Sequence, residues 1–329
     1  MPVTVAIYDK ALALISERLD ALGLDIIVHP FGKEGWSPVN GAAVSPGAAG
    51  IDYFWLSPSI AFDGHMAAAL ELVLACKSVG VLQTFNAGLD NPNYKKIADQ
   101  GIRICNSSAQ AVSISEYVLA HVLSLIHPIE QQGNQQASKS WKTTPFREIS
   151  RMNWLIVGFG PIGQEIAKRV KSFGATTTVI RRSPATSDIV DNAGTMADLE
   201  TFLPEADVIV LACALNEDTR DFADARFFGA LKKGAILVNI ARGALIVDAA
   251  MIAALDDGRL AAAVLDVFRQ EPLPEDDPLW SHPKVRVTAH TSSSGSGSFL
   301  RWEQLFLDNI VRFVNGDALE NEVNPKDIV

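Results

Sequence analysis

Short apolar runs alternate with stretches of helical periodicity from one end of the chain to the other. That alternation predicts βαβ units and parallel sheets covered by helices on both faces, an α/β fold. In the N-terminal part the pattern predicts strands at "VTVAIYD", "LDIIVHP", "IDYFWLS", "SVGVLQTF" and "GIRICNS", with segments such as "HMAAALELVLAC" between them, making one small sheet. A long helical pattern runs from Ala109 to Glu130, and the polar stretch "QQGNQQASKSWKTTPFREISRMN" after it has little to bury. From Trp154 six more strands follow, "WLIVGF", "TTTVIR", "DVIVLACA", "AILVNIA", "AAAVLDVF" and "VRVTAH", with helices between most of them. Their number and alternation suit a doubly wound dinucleotide-binding domain. Beyond "TSSSGSGS", an amphipathic helix over Phe299–Val314 carries Leu300, Leu305, Ile310 and Phe313, suited to packing on the first domain. The expected arrangement is two doubly wound domains. Residues 108–295 are inserted into a smaller domain made of residues 1–107 and 296–329, with crossings near residues 108 and 295.

Composition narrows the partners. A chain of 329 residues, 48% hydrophobic and 20% charged, can bury more than one core. A net charge of −10 opposes binding to nucleic acid or an anionic membrane, since both require a basic footprint, so a small molecule is the expected partner. Cys76, Cys105 and Cys213 are too few and scattered for a disulfide framework and read as reduced core residues. The chain opens on a strand, and no apolar run approaches the ~18 residues of a membrane span, so a cytoplasmic location is expected.

In "GFGPIG" the glycines are Gly158, Gly160 and Gly163. The first permits a tight turn, the second lets a pyrophosphate approach the backbone, and the third allows a helix to close on the strand. Pro161 falls in the first helical turn, where its missing N–H costs nothing. The free N–H groups of that turn and the helix dipole then receive the pyrophosphate. Where an acid for the ribose hydroxyls is expected, the next strand ends at Ile180 and runs into Arg181, Arg182 and Ser183. A guanidinium there offers planar donors to a 2′-phosphate, so NADP(H) is expected over NAD(H). The bland alternative is a pair of solvated arginines at a strand end.

Three further segments bring polar groups to the C-terminal ends of strands, the rim where open α/β sheets bind ligands. Arg242 follows "AILVNIA" and suits a two-point grip on a carboxylate. Asp266 and Glu271 lie in "VLDVFRQEPLPEDDPLW", which by itself reads as a solvated acidic loop. His290 closes "VRVTAH" and, of the six histidines, is the one that ends a predicted strand on this rim. A histidine paired with a carboxylate can trade a proton with a substrate oxygen near neutral pH. No metal-ligand motif stands out, so no metal is expected.

"GFGPIG", "NIARGALI", "LDVFRQEPLPEDDPLW" and the His290 that follows resemble, in order and spacing, the D-isomer-specific 2-hydroxyacid dehydrogenases, particularly the glyoxylate/hydroxypyruvate reductase-like members. "FNAGLDN", "GIRICNS", "ISEYVLAHVLSL" and "NIVRFVNGDALENEV" extend the resemblance over most of the chain. It implies a Rossmann cofactor domain inserted into a flavodoxin-like substrate domain. Arg242 would hold the substrate carboxylate, His290 would exchange a proton with the keto oxygen, and Glu271 would keep His290 protonated. Asp266 would hold the nicotinamide carboxamide, and Asn86, Ala87 and Gly88 would contact the substrate carboxylate. Phe159, Ile162, Cys213, Ala214, Thr219, Ile240 and Ala241 complete the implied cofactor contacts. The helix near residues 109–131 resembles the family's dimerisation element, so a homodimer is expected.

Two departures from the family pattern stand out: Arg181 in place of the usual acid, and Ser292 in the serine-rich "HTSSSGSGS", where a glycine is common. The implied activity is NADPH-dependent reduction of a small 2-keto acid, with glyoxylate and hydroxypyruvate ahead of an arylpyruvate. Trp55 and Trp141 are candidates for the pocket wall, or equally for a core or an interface. Phosphoglycerate dehydrogenase is the competing enzyme, and a corepressor-like sensor of the nicotinamide cofactor is the competing binding protein.

Overall fold

In this computed structural model, which describes residues 1–37 and 50–328, β-branched and aromatic runs pair into two separate sheets. Met1–Gln110 with Ser296–Val329 form one unit, and Ala111–Gly295 form the other. The first sheet contains β1 (Val3–Tyr8), β2 (Ile26–Gly32), β3 (Gly35–Trp36), β4 (Gly50–Leu56), β5 (Ser78–Thr84) and β6 (Arg103–Cys105). Their order is β3-β2-β1-β4-β5-β6, and every pair is parallel except β2 with β3. The five parallel strands thus follow the flavodoxin-like order, second strand outside the first and the rest on the other side. The edge strand β3 carries too short a run for a period-two signal, yet its Trp36 packs edge-on against Phe31 at 6.2 Å.

The helix Ser298–Asn315 returns to this unit and ends at Gly316, whose φ of 76° is the left-handed cap that glycine adopts without strain. Leu305 and Ile310 are buried as expected, Phe313 packs partly buried against the same core, but Leu300 is 63% exposed because it lies on the opposite side of the helix. Trp55 does not line a pocket. Its ring is buried and stacks on Phe306 with centroids 4.2 Å apart.

The second sheet contains β7 (Asn153–Val157), β8 (Thr176–Ile180), β9 (Asn192–Gly194), β10 (Val208–Leu211), β11 (Ala235–Asn239), β12 (Leu260–Leu265) and β13 (Val285–Val287). The order β13-β12-β11-β10-β7-β8-β9 is parallel throughout and reverses direction at β7, as in a Rossmann fold with one strand added. Every residue of β10 and β11 is buried, which explains their apolar runs, interrupted by Asn239 at the end of β11. The three-residue β9 was not anticipated, because its sequence holds neither an apolar run nor β-branched residues.

The long helix expected over Ala109–Glu130 is instead two helices, Ala111–Ile126 and Ile129–Ala137. Pro128 separates them, since it cannot donate to the preceding turn and disfavours a helical His127. The polar stretch begins within the second of these helices, no residue of which is buried, as expected, and Trp141 beyond it is fully exposed. Among the described residues no single helix is long and apolar enough to cross a membrane.

Candidate active site

Strand register assembles the rim of the second sheet. Ile180, Val157, Leu211, Asn239, Leu265 and Val287 lie side by side at the C-terminal ends of six adjacent strands. The glycine loop therefore follows β7, Arg181 follows β8, Cys213 and Ala214 follow β10, Arg242 follows β11, Asp266 and Glu271 follow β12, and His290 follows β13. Residues scattered over more than a hundred positions of sequence emerge on one edge.

His290 is not the last residue of its strand. β13 ends at Val287, and His290 lies three residues on, with a left-handed φ of 49° that non-glycine residues seldom adopt. Its N–H donates to Asp266 O at 2.9 Å and Thr288 O at 3.1 Å. The ring Nδ1 meets Glu271 Oε2 at 2.8 Å, and Glu271 Oε1 accepts the Phe268 N–H at 2.9 Å. The carboxylate is thus held by its own loop while it orients the imidazole. Both side chains remain partly open to solvent, at 50% and 37%, as a pair that must meet a substrate requires.

Asp266 is fully buried. Its Oδ1 accepts from Thr288 Oγ1 at 2.7 Å and the Thr291 N–H at 2.8 Å, and its Oδ2 accepts from the Ser292 N–H at 3.0 Å. The carboxylate thus anchors the turn that carries His290, with the buried Ser292 as one of its donors.

Arg242 is half-buried, and its Nη1 donates to Ala241 O at 2.7 Å. Asn239, fully buried at the end of β11, donates to Arg242 O at 2.9 Å and accepts the Ala241 N–H at 3.1 Å, which sets the course of this turn through the buried Ile240 and Ala241. Gly243 has no room for a side chain, because a Cβ there would lie 2.0 Å from the Phe268 carbonyl carbon. That close approach brings the Arg242 turn against the loop bearing Glu271. Arg269 fastens the same loop, donating to Ile246 O and pairing with Asp221.

Asn239, Gly243 and Thr288 were not singled out in the sequence. Each acts through a backbone group or a neighbour brought in by the fold, and no local motif marks that. Cys213 is half-buried, its thiol pushed up to about 12 by burial, and Thr219 closes the loop after β10 by donating to Ala214 O at 2.8 Å.

In the first unit, Asn86, Ala87 and Gly88 follow β5. Asn86 Oδ1 accepts from Tyr94 Oη at 2.7 Å and Thr84 Oγ1 at 2.9 Å, and Ala87 O accepts from Asn106 Nδ2 at 2.7 Å. Tyr94 and Asn106, neither recognised in the sequence, thus shape this loop.

Residues 119–292, just over half of the chain, match the family model described as D-isomer specific 2-hydroxyacid dehydrogenase, NAD binding domain. The chain belongs to the D-isomer-specific 2-hydroxyacid dehydrogenase family. It is 32% identical over 230 residues to a hydroxypyruvate reductase of Thermotoga maritima, a match covering 68% of this chain and 74% of that one. A D-3-phosphoglycerate dehydrogenase of Bacillus subtilis is 30% identical over 251 residues, 75% of this chain but 47% of the relative, so this chain spans about half of that protein's length. A family structure from Aeromonas salmonicida superposes with a TM-score of 0.76 at 27% identity, covering 98% of this chain and 99% of the other.

The dehydrogenase's glycine loop fits a dinucleotide. Gly158 has φ 104°, and a Cβ on it would lie 2.5 Å from the Ala212 carbonyl, while a Cβ on Gly163 would lie 2.2 Å from Gly158 O. Gly160, by contrast, faces open space with nothing within 4 Å of its Cβ position, leaving room for a pyrophosphate. The helix Pro161–Ser172 starts there without a side-chain cap, so the dipole and N–H groups of its first turn, Ile162 included, face that room. Beyond β8, Arg181 lies over the Phe159 ring at 5.2 Å, a contact that ties the arginine to the glycine loop. Arg182 and Ser183 beside it are exposed.

Proposed function

We propose that this dehydrogenase reduces a small 2-keto acid, glyoxylate or hydroxypyruvate first among them, to the D-2-hydroxy acid with NADPH. The observation that carries the reading is the His290–Glu271 pair on the rim that also bears Arg242 and the glycine loop. Arg242, planar and always charged, would grip the substrate carboxylate. With Glu271 at Nδ1, the proton that moves is the one on Nε2. His290 would give it to the keto oxygen during reduction and recover it from solvent. Bound NADPH supplies the hydride that the keto carbon takes.

Arg181, with Arg182 and Ser183, would hold the 2′-phosphate, while NAD(H) would bind through the same loop with fewer contacts. Asp266, fully buried and bonded to Thr288, Thr291 and Ser292, would act on the nicotinamide carboxamide through the turn that it anchors. In the first unit, backbone groups of Asn86, Ala87 and Gly88 would suit a carboxylate, on a loop whose shape Tyr94 and Asn106 set. The helix Ala111–Ile126 would serve a homodimer.

A panel of 2-keto acids, assayed for NADPH and NADH oxidation by the purified chain, tests the reading. Turnover of small 2-keto acids with NADPH is expected. Turnover confined to 3-phosphohydroxypyruvate, the keto form of 3-phosphoglycerate, would favour the phosphoglycerate dehydrogenase reading, and binding of cofactor without turnover of any acid would favour a sensor.

A further inference from the structure

The turn that presents His290 is joined to the helix Ala111–Ile126 through one line of side chains. Tyr117 Oη lies 2.6 Å from Thr288 Oγ1, which lies 2.7 Å from Asp266 Oδ1. A carboxylate only accepts, so the single Thr288 proton goes to Asp266 and Thr288 must accept from Tyr117. Burial, foremost, pushes the Tyr117 phenol up to about 12, so it keeps its proton at neutral pH. Asp266 then spends its remaining contacts on the Thr291 and Ser292 N–H groups, while its own carbonyl takes the His290 N–H. The left-handed His290 backbone is therefore fixed from both sides by groups that this line orients.

We propose that Tyr117 and Thr288 are positioning residues for proton transfer: the chain Tyr117→Thr288→Asp266 holds His290 in the strained backbone conformation from which its ring faces the substrate. The proposal rests on the reading of His290 as the proton donor. Neither residue touches the reacting atoms, and both act through the His290 turn.

Two readouts on the purified full chain test this: kcat and KM for a 2-keto acid with NADPH, and the His290 Cε1–H resonance, assigned by its loss in His290→Gln. Thr288→Val should lower kcat by about ten- to a hundredfold, the scale of a small misplacement of a catalytic group, with KM and NADPH affinity near parental. Thr288→Ser should recover most of that loss. Tyr117→Phe should lower kcat roughly threefold to tenfold, the worth of one hydrogen bond. Because the two act in series, the double variant should lose no more than Thr288→Val alone. The His290 resonance should broaden or split in Tyr117→Phe and Thr288→Val.

Additive losses, or a loss carried wholly by KM, would overturn the proposal. If Thr288→Val does not fold, Tyr117→Phe decides: parental kcat together with an unchanged His290 resonance refutes the chain. A parent inactive on every keto acid, whose His290 resonance nevertheless responds to Tyr117→Phe, would refute the proposed activity while supporting the chain.

Discussion

At Arg181 one side chain stands where a carboxylate would receive two ribose hydroxyls, and its place over the Phe159 ring argues against an idle strand end. A charge-assisted hydrogen bond contributes roughly 1.5–3 kcal/mol, so Arg181 and Arg182 together would favour NADPH by about 3 kcal/mol, or about a hundredfold in kcat/KM. Arg181→Asp should reverse the preference by repelling the phosphate and supplying an acceptor for the hydroxyls. Comparing kcat/KM for NADPH and NADH at one ionic strength checks this, and a parent that uses NADH equally well would contradict it. Gly243 offers a second test at this scale. A methyl group there collides with the Phe268–Arg269 backbone, so Gly243→Ala must push the Glu271 loop from the Arg242 turn. Activity should fall by about a hundredfold, the cost of a displacement near 1 Å, while NADPH binding persists. Parental kcat in a folded Gly243→Ala variant would show that the close approach is dispensable.

At the scale of elements, sequence legibility followed apolar and β-branched content. The runs of five or six residues that became β1, β7, β8 and β11 announce themselves, because buried parallel strands favour apolar and β-branched residues. β3 and β9 escaped whereas the equally short β6 and β13 did not, because Gly35–Trp36 and Asn192–Gly194 hold no β-branched residue. β9 is held instead by a side chain: Asp191 Oδ2 accepts the Thr177 N–H at 2.8 Å, and its other oxygen pairs with Lys171. The Lys171 ammonium first, and then the Thr177 N–H, hold the Asp191 carboxyl below its ordinary range. A depressed carboxyl favours the folded state when ionised. Its contribution is therefore full above the unfolded pKa and is lost as pH falls through the folded one. Asp191→Asn should lower the melting temperature near neutral pH, and the gap from the parent should close in acid below the usual carboxylate range. Melts at the two pH values check this, and a gap independent of pH would mean that the charge is irrelevant.

For the whole molecule, the order of motifs along the chain was enough to read two doubly wound sheets and to nominate Arg242, Glu271 and His290. What the sequence did not disclose was how those residues are held. Asn239, Gly243 and Thr288 matter because parallel register brings β11, β12 and β13 together, and a position in register leaves no local motif. His290 itself was expected to end a strand, whereas the structure puts it in a strained turn beyond one.

The central claim, that His290 moves the proton in a reduction driven by NADPH, is tested most directly by the turnover of His290→Ala beside its NADPH affinity. Proton transfer by a positioned side chain is worth ~10²–10⁴-fold, whereas the cofactor is held by the glycine loop. Turnover of a 2-keto acid should fall by that factor with the dissociation constant for NADPH close to parental. Unchanged turnover in the variant would contradict the account.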